Sequence, residues 1–418
     1  MAHVEITLAE KFLGAPQAEE ADAILAKCID CGQCMVKCPT FRLLNDDFES
    51  PRGRVQLMRA MYATGKVDLN LQQRLDHCLT CRSCEAMCPE GVRYGRLLDI
   101  TREIIEHEVP RPFRERLLRL GMRTVIPYRR RFAALLRIGR AVRHKLPPRL
   151  QAKIPQALPT PAGHWPQRPW ARSMLVWRGC VQPALAPSIN AATARVLDRF
   201  GIRLITGDEG CCGALSHHMS APDEALGHMR RNIDALWPQV EAGIEAIVMT
   251  ASGCGAHLRD YGELLADDPR YAEKARRISE LTRDIAEVVA AEWREDLLCL
   301  LPRAGTPPRI AYQSPCSLQH AQKLGGVVEK ILKRAGFKLA LVDYAFTCCG
   351  SAGSYSILQP ELAAGLREAK LKTLLGTRAS LIATANIGCQ SHLAEASPVP
   401  VRHWIELLDE VFAEAYPH

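Results

Sequence analysis

Eight cysteines stand in the first 88 residues in two copies of one pattern, and no other feature of this chain restricts its fold so strongly. Cys28, Cys31, Cys34 and Cys38 are followed by Pro39, and Cys78, Cys81, Cys84 and Cys88 by Pro89. Both runs read C-x2-C-x2-C-x3-C-P. Such a loop brings three thiolates to three corners of one iron–sulfur cube, and the fourth cysteine, turned away before its proline, ligates the other cube. The spacing predicts one [4Fe–4S] cluster on Cys28, Cys31, Cys34 and Cys88, and a second on Cys78, Cys81, Cys84 and Cys38. A pair of four-thiolate zinc sites is the bland alternative, but zinc favours separated C-x2-C pairs.

The remaining cysteines fit the same chemistry. The chain has 17 in 418 residues. In a long chain kept under reducing conditions these point to metal ligands or redox work rather than disulfides. Apolar residues are 47% and charged residues 24%, which excludes a disordered or fibrous protein. Apolar runs are all interrupted by charge, so no spanning helix is expected. Met1 to Leu13 lacks the basic start and apolar stretch of a secretory signal, and the expected compartment is the cytoplasm.

Between the two runs, Ser50 suits a helix cap and Pro51 the first helical position. Val55, Met58 and Met61 or Tyr62 recur at helical spacing as core positions, and Gly65 can end the element. Helical flanks precede Cys28 and follow Gly95. An all-α ferredoxin module with two clusters is therefore expected over 1–108.

A basic and Pro-rich connector follows over 109–172. From Arg111 to Leu150 it carries thirteen Lys/Arg and one acid, Glu115, a net of 13 − 1 = +12 against +8 for the whole chain. Apolar residues such as Leu117, Leu118, Leu120, Leu135 and Ile138 are interspersed. Membrane-surface contact through 111–150, docking on an acidic partner subunit and a solvated face all fit this pattern. Nucleic acid does not, since no binding motif accompanies the charge.

From Met174 onward the chain repeats. Cys180 answers Cys316, Cys211-Cys212-Gly213 answers Cys348-Cys349-Gly350, and Cys254 answers Cys389, at offsets of 136, 137 and 135. That steady pitch indicates a duplicated domain. In each copy short apolar strands alternate with helices, which argues a parallel α/β sheet. Two duplicated α/β Cys-Cys-Gly domains are expected over 173–300 and 301–418. All four cysteines of a copy fall just after strands, so Cys180, Cys211, Cys212 and Cys254, and likewise Cys316, Cys348, Cys349 and Cys389, are candidate ligands of a further cluster or metal. Buried thiols and structural zinc remain the alternatives, and a vicinal disulfide at Cys211-Cys212 would be strained. His257 and His392 offer an imidazole in each copy. His217, His218 and His320 have no counterpart and read as ordinary polar residues, and Cys299 as a buried small side chain.

This arrangement resembles the iron–sulfur subunits of membrane-associated hydroxyacid oxidoreductases: the glycolate oxidase (glycolate dehydrogenase) subunit, the glycerol-3-phosphate dehydrogenase C subunit, lactate-utilisation proteins and heterodisulfide reductase subunits. The glycolate oxidase likeness rests on Cys28-Ile-Asp-Cys-Gly-Gln-Cys-Met-Val-Lys-Cys-Pro-Thr, on Ser50-Pro-Arg-Gly-Arg, and on His77-Cys-Leu-Thr-Cys-Arg-Ser-Cys-Glu-Ala-Met-Cys-Pro with Gly91-Val-Arg-Tyr-Gly-Arg-Leu-Leu-Asp behind it. The resemblance implies electron transfer. A partner FAD subunit oxidises glycolate to glyoxylate, and this chain passes the electrons toward a quinone or another acceptor, on the cytoplasmic face of the inner membrane. It implies no substrate catalysis by this chain alone. A lactate or glycerol-3-phosphate complex is the alternative, as is a heterodisulfide-reductase-like enzyme with chemistry at the Cys-Cys-Gly sites. Those reductases end the domain in C-x-x-C, whereas His257 and His392 stand there in this chain. No flavin or nicotinamide fingerprint, nucleophile elbow or H-E-x-x-H is found.

Overall fold

The computed structural model describes residues 7–147, 151, 154–155, 159–294 and 308–415; Cys299 lies outside them. The described chain forms two units. One holds the residues up to 120 with 216–222 and 346–370, and the other holds 121–215, 223–345 and the residues from 371.

In the first unit the elements before residue 110 are helices and single 3-10 turns: α1 (Pro16–Ala26), α2 (Pro39–Leu44), α3 (Pro51–Thr64), α4 (Leu69–Asp76) and α5 (Tyr94–Glu108). Helix α1 leads into Cys28 and α2 leaves the first run with α3 beyond it, while α4 leads into Cys78 and α5 follows the second. Ser50 caps α3 by accepting a bond from the Gly53 amide at 3.0 Å, and Gly65 ends it with a left-handed φ of 73°. Val55, Met58, Met61 and Tyr62 are buried against Leu25, Leu75, Leu97 and Leu98. Each such side chain contributes roughly 1.5–3 kcal/mol when fully buried. Two further helices follow, α6 (Phe113–Val125) and α7 (Arg129–Ala141).

The second unit contains both sheets. The first sheet takes β1 (Arg172–Trp177), β2 (Ile202–Thr206), β3 (Ile247–Met249) and β4 (Thr282–Asp284), in the order β2-β1-β3-β4. The second takes β5 (Arg309–Gln313), β6 (Lys338–Leu339), β7 (Leu381–Thr384) and β8 (Val401–His403), in the order β6-β5-β7-β8. Every pairing is parallel, with β1 set against β2 from Arg172↔Ile202 to Val176↔Thr206 and against β3 from Leu175↔Ile247. The strands sit in the same register in both sheets, as a duplication requires. Strands β4 and β8 were not expected: Thr-Arg-Asp and Val-Arg-His are too short and polar to show a period.

One core serves both sheets. Val176, Val248, Ile310, Ala383 and Trp404 belong to a single buried cluster. Helix α8 (Ser188–Arg199) packs on α14 (Trp404–Ala415), and nearby Phe200 meets Phe412 edge-on at 6.0 Å. Buried His403 Nε2 donates to the Thr250 carbonyl at 3.0 Å, and Ser252 Oγ meets Ser317 Oγ at 2.8 Å. Helices α9 (Pro222–Glu241), α10 (Ser252–Arg259), α11 (Ile285–Glu292), α12 (Val327–Arg334) and α13 (Ile387–Ala394) are among those that connect the strands.

Candidate metal centres

Both front runs have the same local backbone. Asp30 and Thr80, two residues after the first cysteine of each run, adopt left-handed φ of 57° and 53°; Gly32 and Arg82 do so at 75° and 56°. These reversals coil each run into a tight loop, which short polar residues and glycine tolerate best. An arginine from a helix further along fixes each loop. Arg59 on α3 donates to the carbonyls of Leu25 and Cys28; Arg102 on α5 donates to those of Leu75 and Cys78, at 2.6 and 2.8 Å. Arg52 adds a bond to Asp30 at 2.9 Å, and Arg102 one to Thr80 at 3.1 Å.

Cys28, Cys31, Cys34 and Cys88 line one apolar cavity with Pro51, Val55, Cys84, Val92 and Tyr94. Cys34 has Cys28, Cys31 and Cys38 near it, and burial pushes its thiol up to about 12. Buried Cys84 has Cys81, Cys78 and Cys38 near it, and its thiol is raised for the same reason. Thiols this reluctant to ionise become thiolates when a metal takes the proton's place. Two buried hydroxyls, Ser83 Oγ and Tyr94 Oη, have no hydrogen-bond partner among the described residues. Orphaned donors beside soft sulfur ligands fit an anionic cluster whose sulfides accept bonds.

The two quartets differ in setting. Cys38 and Cys84 are buried and Cys78 and Cys81 half-buried, while Cys31 is exposed and Cys28, Cys34 and Cys88 are half-buried. Behind Cys38 lies a network of buried charge that sequence reading missed, because arginine and glutamate ordinarily mark solvated faces. Arg54 and Glu49, each 1% exposed, pair at 2.6 Å. The other oxygen of Glu49 accepts Arg74 at 2.8 Å and meets His77 Nδ1 at 2.7 Å.

In the second unit Cys180, Cys211, Cys212 and Cys254 come together beyond the carboxyl ends of β1, β2 and β3. Cys211 lies within hydrogen-bonding reach of Cys180 and Cys212, and Cys212 of Cys254. Bonds from Cys180 and Cys212 lower the Cys211 thiol, while those of Cys180 and Cys212 are raised. The turn is fixed from behind: Asn232 donates to the Cys211 carbonyl at 2.7 Å and Tyr261 to that of Cys212 at 2.6 Å. Gly213 has φ of 93°, and a Cβ there would lie 3.1 Å from the Ala225 carbonyl. His257 is buried with its ring edge-on to Tyr261 at 5.7 Å.

Of the second quartet, Cys316 precedes a π-helical turn (Ser317–Ala321) and Cys389 lies on α13, both in the second unit. His392 is buried on α13. Cys348 and Cys349 belong to the first unit, where Gly350 donates to Cys348 Sγ at 3.5 Å. Tyr355, near Cys78 and Cys348, donates to the His77 carbonyl at 3.1 Å. His217 and His218 gather with Asp99 on α5, with His218 Nδ1 4.0 Å from the carboxylate. Arg102 and Arg82 lie close enough to oppose a further cation there.

The connector is less free than its charge suggested. Arg111 is buried between Asp76, Glu106 and Glu115; Arg119 bonds Glu115 at 2.8 Å; Arg129 clamps the Gly179 carbonyl and Glu209. Arg114, Arg116, Arg130, Arg131 and Arg137 are exposed, as are Phe113, Leu117, Leu118, Leu120, Leu135 and Ile138. No described helix is long and apolar enough to cross a membrane.

A model for a 4Fe-4S dicluster domain matches residues 24–92, and one for a cysteine-rich domain matches 174–259 and 310–394. The chain is 47% identical to the glycolate oxidase iron–sulfur subunit of Escherichia coli, over 97% of this chain and 99% of that one. The chain belongs to the glycolate oxidase iron–sulfur subunit family. A probable member from Bacillus subtilis is 31% identical over 87% of both chains. A lactate utilization protein A of Bacillus licheniformis is 24% identical over 55% of this chain and 96% of its own. Like other glycolate oxidase iron–sulfur subunits, the chain is an oxidoreductase component that binds iron–sulfur clusters.

Proposed function

We propose that this chain is the electron-transfer subunit of a glycolate oxidase, working beside a flavin subunit. The observation that carries the reading is the pair of matched cysteine loops, each fixed by an arginine from a helix further along. In this reading an all-helical ferredoxin module over 1–108 holds two [4Fe–4S] clusters, one on Cys28, Cys31, Cys34 and Cys88 and one on Cys78, Cys81, Cys84 and Cys38. Iron–sulfur cubes supply one-electron steps. The residues around them donate bonds to the sulfurs and fix the loops.

Glycolate oxidation to glyoxylate releases two electrons and two protons. A flavin in the partner subunit would accept both electrons and could yield them singly. This chain carries them to a quinone or another acceptor. Tyr355 is bonded to the His77 carbonyl beside Cys78 and lies near Cys348 as well. The quartet of Cys180, Cys211, Cys212 and Cys254 has the thiols and the left-handed turn to hold a further cluster, and the repeat extends the same role to Cys316, Cys348, Cys349 and Cys389. The exposed leucines and arginines of α6 and α7 suit peripheral contact with an anionic membrane surface on the cytoplasmic side.

Purified without oxygen, the isolated chain is expected to bleach with dithionite and stay coloured with glycolate, and to bleach with glycolate once the flavin subunit is added. Glycolate turnover by the flavin-free chain would overturn this. A second reading, disulfide or quinone chemistry at the Cys-Cys-Gly turn, is favoured by the lowered thiol of Cys211. It requires that Cys211→Ser and Cys212→Ser abolish catalysis while both front clusters keep their spectra.

A further inference from the structure

We propose that Arg54 acts as a fixed buried cation that raises the reduction potential of the cluster on Cys38, Cys78, Cys81 and Cys84. The inference rests on the two-cluster reading above and adds a tuning residue to it. Arg54 is 1% exposed, and its guanidinium is held on three sides: Nε donates to the Arg74 carbonyl at 2.7 Å, Nη1 to Thr40 Oγ1 at 3.2 Å and Nη2 to Glu49 at 2.6 Å. Thr40 Oγ1 stands 3.3 Å from Cys38 Sγ, so the guanidinium is one hydroxyl away from a ligand sulfur. Arginine is not deprotonated in proteins, and the Glu49 carboxylate at 2.6 Å supports the buried charge, so the cation persists.

Glu49 is shared between Arg54 and other donors. Its second oxygen is taken up by Arg74 and His77, and Asp46 accepts Arg74 from outside. The network thus sets positive groups on both sides of one carboxylate, with Arg54 on the side of Thr40 and Cys38. Reduction adds negative charge to an anionic cluster, and a cation in a low-dielectric setting stabilises the reduced form more than the oxidised one. At the other quartet the cation lining the cavity is Arg52, which is half-exposed and paired with Asp30 rather than buried. With Arg59 set against Arg102 (102 − 59 = 43), Arg54 falls opposite Leu97 (97 − 54 = 43), which is buried and apolar.

The test is an EPR-monitored redox titration of the anaerobically purified holoprotein, with iron counted in every variant. Arg54→Gln is expected to lower the midpoint of one cluster, cutting its reduced-to-oxidised ratio at fixed potential about tenfold or more, and to leave the other midpoint in place. Arg54→Lys should restore most of the shift. Glu49→Gln, which removes a negative charge from the same network, should move the same midpoint upward. A merely structural pair would give changes of one sign, with loss of iron. Unchanged midpoints in Arg54→Gln at full iron content, or equal shifts of both clusters, would overturn the proposal. If Arg54→Gln loses iron, Glu49→Gln decides: no shift or a downward shift overturns it. Absence of two front clusters from the unaltered protein would instead sink the two-cluster reading itself.

Discussion

The two front loops share a backbone and differ in their surroundings. Each has left-handed residues at the same two positions, and each is tied by one arginine to the carbonyls at the end of the preceding helix. Yet Cys38 turns into a buried helix start (Pro39, Thr40) and a charged network, whereas Cys88 is followed by exposed Pro89 and Glu90. The lesson is a division of labour. Loop geometry makes a place for a cube, and the ground behind the fourth cysteine decides how wet and how charged that place is.

The comparison breaks most visibly at the cysteines. Cys84→Ser is expected to empty the buried quartet and lower the thermal midpoint by more than about 5 °C, because ligand and core are lost together. Cys31→Ser should empty the open quartet with less than half that shift. Scanning calorimetry beside iron analysis reads both, and equal shifts would mean that burial does not separate the sites.

Chelation sharpens the same point. Under anaerobic treatment with an iron chelator, the cluster beside exposed Cys31 should disappear several-fold faster than the other in EPR. The reverse order would place solvent access elsewhere. The arginines test the likeness rather than the difference. Arg59→Met and Arg102→Met should each cost about 1.5–3 kcal/mol in denaturant unfolding, as lost charged hydrogen bonds. A large loss in one and none in the other would show that the matched geometry is not matched in energy.

The smallest effect belongs to Asp30. The hydrogen bond from Arg52, ahead of the cost of burial, holds its carboxyl below the ordinary 3.8. A lowered folded value means that its stabilisation is full above 3.8 and is lost as pH falls through the folded value. Asp30→Asn should therefore cost under about 1 kcal/mol at neutral pH and nothing in strong acid. A penalty that survives acid would assign Asp30 a role other than its charge.

Much of this was legible in the residues. The cysteine spacing, the Ser50 cap, the Gly65 stop and the doubled Cys-Cys-Gly pattern are local signals, and helices α3 and α5 and strands β1, β3, β5 and β7 lie where they pointed. The rest depends on contacts that no period encodes. Strands β4 and β8 take their place from neighbours already paired. Residues 216–222 and 346–370 join the first unit although the repeat assigns them to the α/β domains. Nothing in the sequence marked Arg54 as buried, and Arg111 and Arg129 stood only among the connector's basic residues; the fold shows the carboxylates and carbonyls that hold them.

The central claim is that the two front quartets each hold an iron–sulfur cube, and iron with acid-labile sulfide per chain tests it most directly. Anaerobically purified protein should carry about eight of each, rising to about twelve or sixteen if the rear quartets are filled, at four per cube. A colourless protein with about one zinc per quartet and no labile sulfide would contradict it.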